Sequence, residues 1–299
     1  MFRTGRFEWP TWVLLALTYL VWALGTTWAA GAWLPLSMVL VTLSAAQHSS
    51  LCHEALHGHP TRWARVNEAL VFPALSLLIP YQRFRDTHIA HHNDEILTDP
   101  YDDPETNFQD PAVWESLPGW TRLILRINNT LAGRMVLGPA IAQGVFMRAD
   151  WRAIRAGDRV ILAGWMWHVP AVAVVIWWVA RFGQMPVWAF LLSSYAALSI
   201  LKIRTYLEHR AHPSAKGRTV IIEDRGPLSL IFLNNNYHVV HHAHPGMAWY
   251  ELPARYEADR EAYLERNKGY YYRSYAQIFR RYFWHAKDPV PHPLFRAGE

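Results

Sequence analysis

Four stretches of this chain run without a charged side chain for nearly the width of a bilayer, and that limits the folds open to it. They cover about 11–28, 29–47, 160–180 and 185–201, with little more than Gly31 and Pro35 marking the turn between the first two. Each approaches the roughly 20 residues that a helix needs to cross a hydrocarbon core. The third contains His168 and Pro170, which a membrane helix tolerates where they face other helices. The spans pair into two hairpins, so the expected fold is all-α and integral to a membrane, with four crossings. The chain is read as one domain over residues 1–299, with extramembranous parts at about 52–159 and 202–299.

Basic residues set the expected orientation. Arg3 and Arg6 precede the first span, and arginines recur between the hairpins from Arg62 to Arg159. The turn between the last two spans has only Arg181. Both termini and the extramembranous parts are therefore expected on the cytoplasmic side, in a bacterial inner membrane. A formal charge of +5 suits a surface resting on anionic headgroups. It does not indicate nucleic acid, because the arginines flank apolar spans and form no separate basic stripe. The first span is too long, and too soon followed by another, for a cleaved signal peptide. Cys52 is the only cysteine, which excludes internal disulfides and cysteine-built zinc or iron–sulfur sites; a buried thiol is expected there.

Between and after the spans the pattern changes. Val66 to Tyr81 is apolar but interrupted by Pro73 and Pro80, as in a short core helix or a re-entrant segment. Residues 120–151 alternate apolar side chains and arginines in a helical rhythm, suited to helices lying in the interface. Leu97-Thr-Asp-Pro-Tyr-Asp-Asp-Pro-Glu-Thr106 is turn chemistry. Arg255 to Trp284 reads as an amphipathic helix covering the cytoplasmic part.

The chemistry lies in sixteen histidines, half of them in three clusters: His53-Glu-Ala-Leu-His57, His88-Ile-Ala-His91-His92 and His238-Val-Val-His241-His242. Residues three and four apart share a helix face, so each cluster aims its imidazoles one way. Neutral imidazole is the commonest protein metal ligand. Eight clustered imidazoles and a ninth nearby exceed the needs of one metal, which points to a two-metal centre. For the ninth ligand His209 is favoured over His212, as the last-turn residue of the fourth helix. Imidazole sites suit zinc, copper, iron or nickel; redox iron fits best, since neutral ligands leave the metal charge available to an oxygen-derived group. Ligand imidazoles donate their other N–H to a carboxylate or carbonyl, and Glu54, Asp94, Asp99, Glu208, Asn236 and His212 are candidates for such support. His48, His59 and His244 are read as supporting or solvated, His168 as satisfying a nearby polar group, and His285 and His292 as tail residues without a role.

Two other functions are weighed against this. His53-Glu54-Ala-Leu-His57 is a literal H-E-x-x-H, in which two histidines bind zinc and the glutamate is the base of a metalloprotease; one further ligand would complete it and leave two clusters unused. A metal carrier would place its ligands at the membrane midplane with repeat symmetry, and no repeat is visible.

The three clusters in this order, with four spans, resemble the membrane fatty acid desaturase and hydroxylase family. Leu97-Thr-Asp-Pro, Asn234-Asn-Asn-Tyr-His238 through Pro245, and Trp249-Tyr250 are similar to the family's surroundings of the second and third boxes. Tyr206-Leu-Glu-His209 is similar to the extra histidine segment of its alkane hydroxylase branch. The resemblance implies two non-haem irons held by the eight box histidines and one more, O2 as co-substrate, and a long acyl or alkyl substrate entering from the bilayer through a channel between the spans. It also implies electrons from a separate donor, a ferredoxin or cytochrome-type protein with its reductase. His244-Pro-Gly-Met247 is similar to a cytochrome b5 haem motif but overlaps the third box, and no haem domain surrounds it. Desaturation is expected ahead of hydroxylation, and hydroxylation ahead of oxidative decarboxylation to an alkene.

Overall fold

The computed structural model describes residues 7–296, so Arg3 and Arg6 lie outside the described residues. The chain packs as two compact units. One is formed by the chain up to Arg85 with Ala140–Leu201, the other by Asp86–Pro139 with the chain from Lys202 onward.

The first unit is built from long helices. Trp9–Ala32, Arg159–Phe182 and Val187–Thr205 are long and apolar enough to cross a membrane. The remaining expected span falls on Leu34–Leu56, a 23-residue helix that buries Ser37, Ser44, Gln47, His48, Ser50, His53 and Glu54, so its C-terminal half is polar inside. The first of these helices contains a π turn at Gly25–Ala29. A Cβ on Gly25 would sit 3.1 Å from Val41 Cγ2, so glycine there permits close approach of the next helix. Ser37 Oγ donates to the Gly25 carbonyl at 2.7 Å, which satisfies a backbone group disturbed by the π turn.

Two buried polar clusters inside this unit are paired. Arg83 donates to both oxygens of Asp150 at 2.8 Å, and Trp165 Nε1 donates to Oδ2 at 2.8 Å. The Arg159–Phe182 helix starts at Asp158, whose carboxylate accepts from Val160 N and Ile161 N, as an N-cap should. Its His168 meets the Leu77 carbonyl at 2.9 Å, the polar partner expected for it. Of Val66 to Tyr81, the start is helical, as the end of Ala64–Leu70; turns follow, and Tyr81 opens the next helix. Cys52 is half-buried rather than buried, and lies 3.7 Å from His48 Nδ1.

In the second unit the helices are short. Residues 120–151 are helical as expected, in Gly119–Asn128, Leu131–Val136 and Gly138–Arg155, the last reaching into the first unit's stretch. The single amphipathic helix expected over Arg255 to Trp284 is corrected to three: Leu252–Ala258, Arg260–Arg266 and Tyr275–Tyr282. Lys268 and Gly269 adopt positive φ of 55° and 69°, a conformation that ends a helix. The tyrosine run behind them goes extended, Tyr271–Tyr272 pairing in parallel with Ile221–Ile222. Asn267 locks this join, its Nδ2 donating to the Thr219 and Tyr270 carbonyls at 3.1 and 2.9 Å.

Candidate metal centre

The third histidine box forms a six-residue helix, His238–Ala243. Val239 and Val240 face a core of Ile221, Tyr237, Leu252, Tyr256 and Tyr263. Burial of that face turns His238, His241 and His242 the other way. The preceding Asn234-Asn-Asn run divides three tasks. Asn234 takes positive φ of 54°, which asparagine tolerates better than most residues, and its N–H donates to the Ser229 carbonyl at 2.8 Å. Asn236 Nδ2 donates to the Ile222 carbonyl at 2.6 Å. Asn235 faces the box: its Oδ1 lies 3.2 Å from His238 Nδ1, and its Nδ2 donates to Glu208 Oε1 at 2.8 Å.

The second box ends the Tyr81–His91 helix. Its support comes from further along the chain. Asp103 accepts from His91 Nδ1 at 2.7 Å, and Glu105 from His88 Nδ1 at 2.9 Å. Asp103 is itself held, its Oδ2 accepting from Thr98 N at 2.8 Å.

His209 does not sit in the last turn of a helix, as expected from the sequence. The Val187–Thr205 helix stops four residues earlier, and His209 lies in an extended bridge to Thr219. Glu208 O accepts from Val220 N, and Arg210 N donates to Arg218 O. This backbone pairing outcompetes another helical turn. It points the His209 ring at His91 and His238, with Nε2–Nε2 separations of 2.8 and 3.0 Å.

His91, His209, His238 and His242 thus offer four ring nitrogens within 4.8 Å of one another. Three of the rings have Nδ1 engaged outward, His91 by Asp103, His238 by Asn235 and His242 by Asp94 at 3.1 Å. Their Nε2 lone pairs therefore face inward together, and His242 Nε2 is buried with no hydrogen-bond partner among the described residues. Converging lone pairs repel one another unless a cation or a proton sits among them, so this donor set fits a metal ion. A second triplet repeats the pattern. His92 Nε2 lies 3.0 Å from His88 Nε2 and 3.1 Å from His241 Nε2, with His88 anchored outward by Glu105. In the first unit the first box stays helical through His53, with His57 at the C-cap, and the two rings stand 4.8 Å apart.

Protonation follows these environments. Burial alone would lower His91, but Glu105 and the hydrogen bond to Asp103 outweigh it and lift the ring to about 9. Burial, with neighbouring imidazoles, pushes His209 and His238 well below the usual histidine value. Burial also takes His242 down to about 4, despite its bond to Asp94.

The sequence-proposed supports separate. Asp94 touches His242 and also pairs with Arg266 at 3.1 Å. Glu208 pairs with Arg204 at 3.1 Å and reaches His238 through Asn235. Glu54 lies 3.8 Å from His53 Nδ1. Asp99 accepts from Tyr101 N and Asp102 N in a turn, Asn236 serves the strand, and His212 Nδ1 accepts from Ser214 N. The residues missed were Asp103, Glu105 and Asn235. The first two lie in the stretch read as turn chemistry, whose excess of acids beside a histidine box was the available signal. His244 meets Tyr263 Oη at 3.0 Å, and His292, expected to be unremarkable, is buried.

The family model for fatty acid desaturases matches residues 26–274, and this stretch holds all three boxes and His209. The chain belongs to the fatty acid desaturase family. It is accordingly an oxidoreductase of lipid metabolism, a membrane protein, and a metal-binding one through its histidine boxes. No individual curated protein matches this chain.

Proposed function

We propose that this desaturase-family protein is a non-haem di-iron enzyme that uses O2 to remove two hydrogens from a fatty acyl or related alkyl chain. The observation that carries the reading is the convergence of four inward-facing imidazoles in a chain of this family. His91, His209, His238 and His242 serve one iron; His88, His92 and His241 belong to the other, with His53 and His57 as the remaining ligands. Iron held there supplies what side chains cannot, oxidative attack on an unactivated C–H bond. In desaturation, the substrate's two hydrogens, two further protons, two electrons and O2 give a double bond and two waters. The electrons come from a separate donor, a ferredoxin or cytochrome-type protein with its reductase.

The chain's own residues orient and insulate. Asp103, Glu105, Asp94 and Asn235 hold the Nδ1 protons outward, which fixes each ring's tautomer. Burial of His88, His91, His238, His241 and His242 limits access of bulk water. In the first unit a cavity lined by Cys52, Val71, Phe72, Ile79, Trp167 and Ala171 offers apolar walls for an alkyl chain. The reading keeps the whole chain as one functional domain with four membrane crossings, its histidine boxes on the cytoplasmic side of a bacterial inner membrane.

Hydroxylation is the second reading, favoured by Tyr206-Leu-Glu-His209, and decarboxylation the third. Elemental analysis of detergent-purified protein should find about two irons per chain; one zinc would favour the protease reading through Glu54. Lipid feeding under 18O2 then separates the oxidations. An unlabelled alkene that keeps every carbon supports desaturation, a labelled alcohol replaces it with hydroxylation, and an alkene short of one carbon with decarboxylation.

A further inference from the structure

The other proposed ligands sit on helices or at their ends, whereas His209 is carried on extended chain. A ligand on irregular backbone is placed well only if other groups hold it. Bonds at Glu208 O and Arg210 N fix the strand on one side, and the His209 carbonyl points the other way. The ammonium of Lys287 donates to that carbonyl. Lys287 is held in turn by Asp288 Oδ2 at 3.0 Å and Tyr270 Oη at 3.1 Å, and its own N–H donates to Tyr206 Oη at 3.1 Å. The same tail reaches the opposing ligand. His292 Nε2 lies 3.1 Å from Thr98 Oγ1, Thr98 N donates to Asp103, and Asp103 holds His91. The tail is strapped along this loop by Gln109 N to Val290 O at 3.0 Å and His292 N to Gln109 O at 2.8 Å.

We infer that residues 285–292, which lie beyond the stretch matched by the family, form a clamp that positions one metal site. Lys287 sets His209 from one side, and His292 sets His91 through Thr98 and Asp103 from the other. Both are positioning residues, since neither side chain reaches the inward-facing nitrogens. The clamp acts first on the set of His91, His209, His238 and His242; the set built on His88, His92 and His241 is reached more remotely, through Glu105 N, which donates to Asp103 Oδ1 at 2.9 Å.

The inference rests on the two-metal reading, and the test separates the two. Full-length wild type, Lys287→Met, Lys287→Arg and His292→Phe are purified, loaded with Co(II), and compared by metal stoichiometry, ligand-field absorption and melting temperature. Wild type should hold two ions. Lys287→Met should drop toward one, with the spectrum of one site lost and the other unchanged. Lys287→Arg, which keeps a donor to the His209 carbonyl, should restore the second ion. His292→Phe should weaken the same site by about tenfold, in the range for support groups behind metal ligands. Two ions with an unaltered spectrum in Lys287→Met would overturn the clamp while leaving the two-metal reading intact. So would loss of both ions with a collapsed melt that arginine fails to rescue. Fewer than two ions in wild type overturns the two-metal reading and the clamp with it.

Discussion

The second and third boxes share one spacing, H-x2-H-H, yet stand against different walls. Behind His88 and His91 are two carboxylates, Glu105 and Asp103. Behind His238 is a neutral amide, Asn235, and behind His242 is Asp94, already shared with Arg266. Identical ligand geometry thus carries unequal charge. His91 is lifted toward protonation, while His238 and His242 are driven toward the neutral form in which imidazole binds metal. A box motif specifies where ligands point, and the residues behind it decide how tightly each holds a proton or a metal.

The largest effect should come from removing the stronger wall. Asp103→Asn takes the charge from His91 and disturbs the Thr98 contact, so affinity for the second ion should fall about 10- to 100-fold. Isothermal titration with Co(II) reads this directly; a change below twofold would show that the carboxylate has no role in binding.

Next is acidity. Because His91 is raised to about 9, it is protonated at pH 7 in the metal-free protein and must release that proton to bind. Affinity at this site should climb with pH, about tenfold per unit from 7 to 8, and level off near 9. In Asp103→Asn the slope should flatten. The same shift bears on stability. A raised folded value contributes stability that is fully present below the unfolded value of 6.5 and fades as pH rises toward 9. His242, lowered to about 4, acts oppositely, contributing above 6.5 and fading as pH falls toward 4. Melting temperatures of the metal-free protein should therefore decline on both sides of neutrality.

Asn235→Ala should weaken binding less than Asp103→Asn, several-fold, because a neutral acceptor is lost. Matching losses in the two variants would remove the distinction between the walls. The smallest effect belongs to His212→Ala, which breaks only a local bond to Ser214 N and should leave metal content and affinity within twofold of wild type. Loss of an ion there would move the ninth ligand from His209 to His212.

Much of this was legible because it is local. The i, i+3 and i+4 spacing within His238–Ala243 fixes a face without knowledge of the fold, and unbroken apolar runs announce their helices. Sequence distance hides the rest. Asp103 lies 12 residues from His91, and Lys287 lies 78 from His209, so no helical or strand period links either pair. The end of the Val187–Thr205 helix is hidden from the sequence for a related reason. Tyr206 to Arg210 has no helix breaker; Tyr206 and Leu207 form a turn, and the extended state of Glu208 to Arg210 is dictated by pairing with residues 218–220. Likewise, the tyrosines at 270–272 leave the helical pattern because Ile221 and Ile222 offer them an edge.

Gly164 has a consequence for how such a sequence can change over time. A Cβ there would stand 3.2 Å from both Arg83 Cγ and Cδ, so the missing methyl is the space through which the arginine reaches Asp150, the carboxylate that also accepts from Trp165 Nε1. Gly164, Arg83 and Asp150, separated in sequence, thereby become one inherited trait. An alanine at 164 would crowd the arginine, and losing the arginine first would strand Asp150 without its cation. Any lineage that replaces the glycine should therefore replace the ion pair as well, and an alignment of relatives should show these positions moving together or staying put.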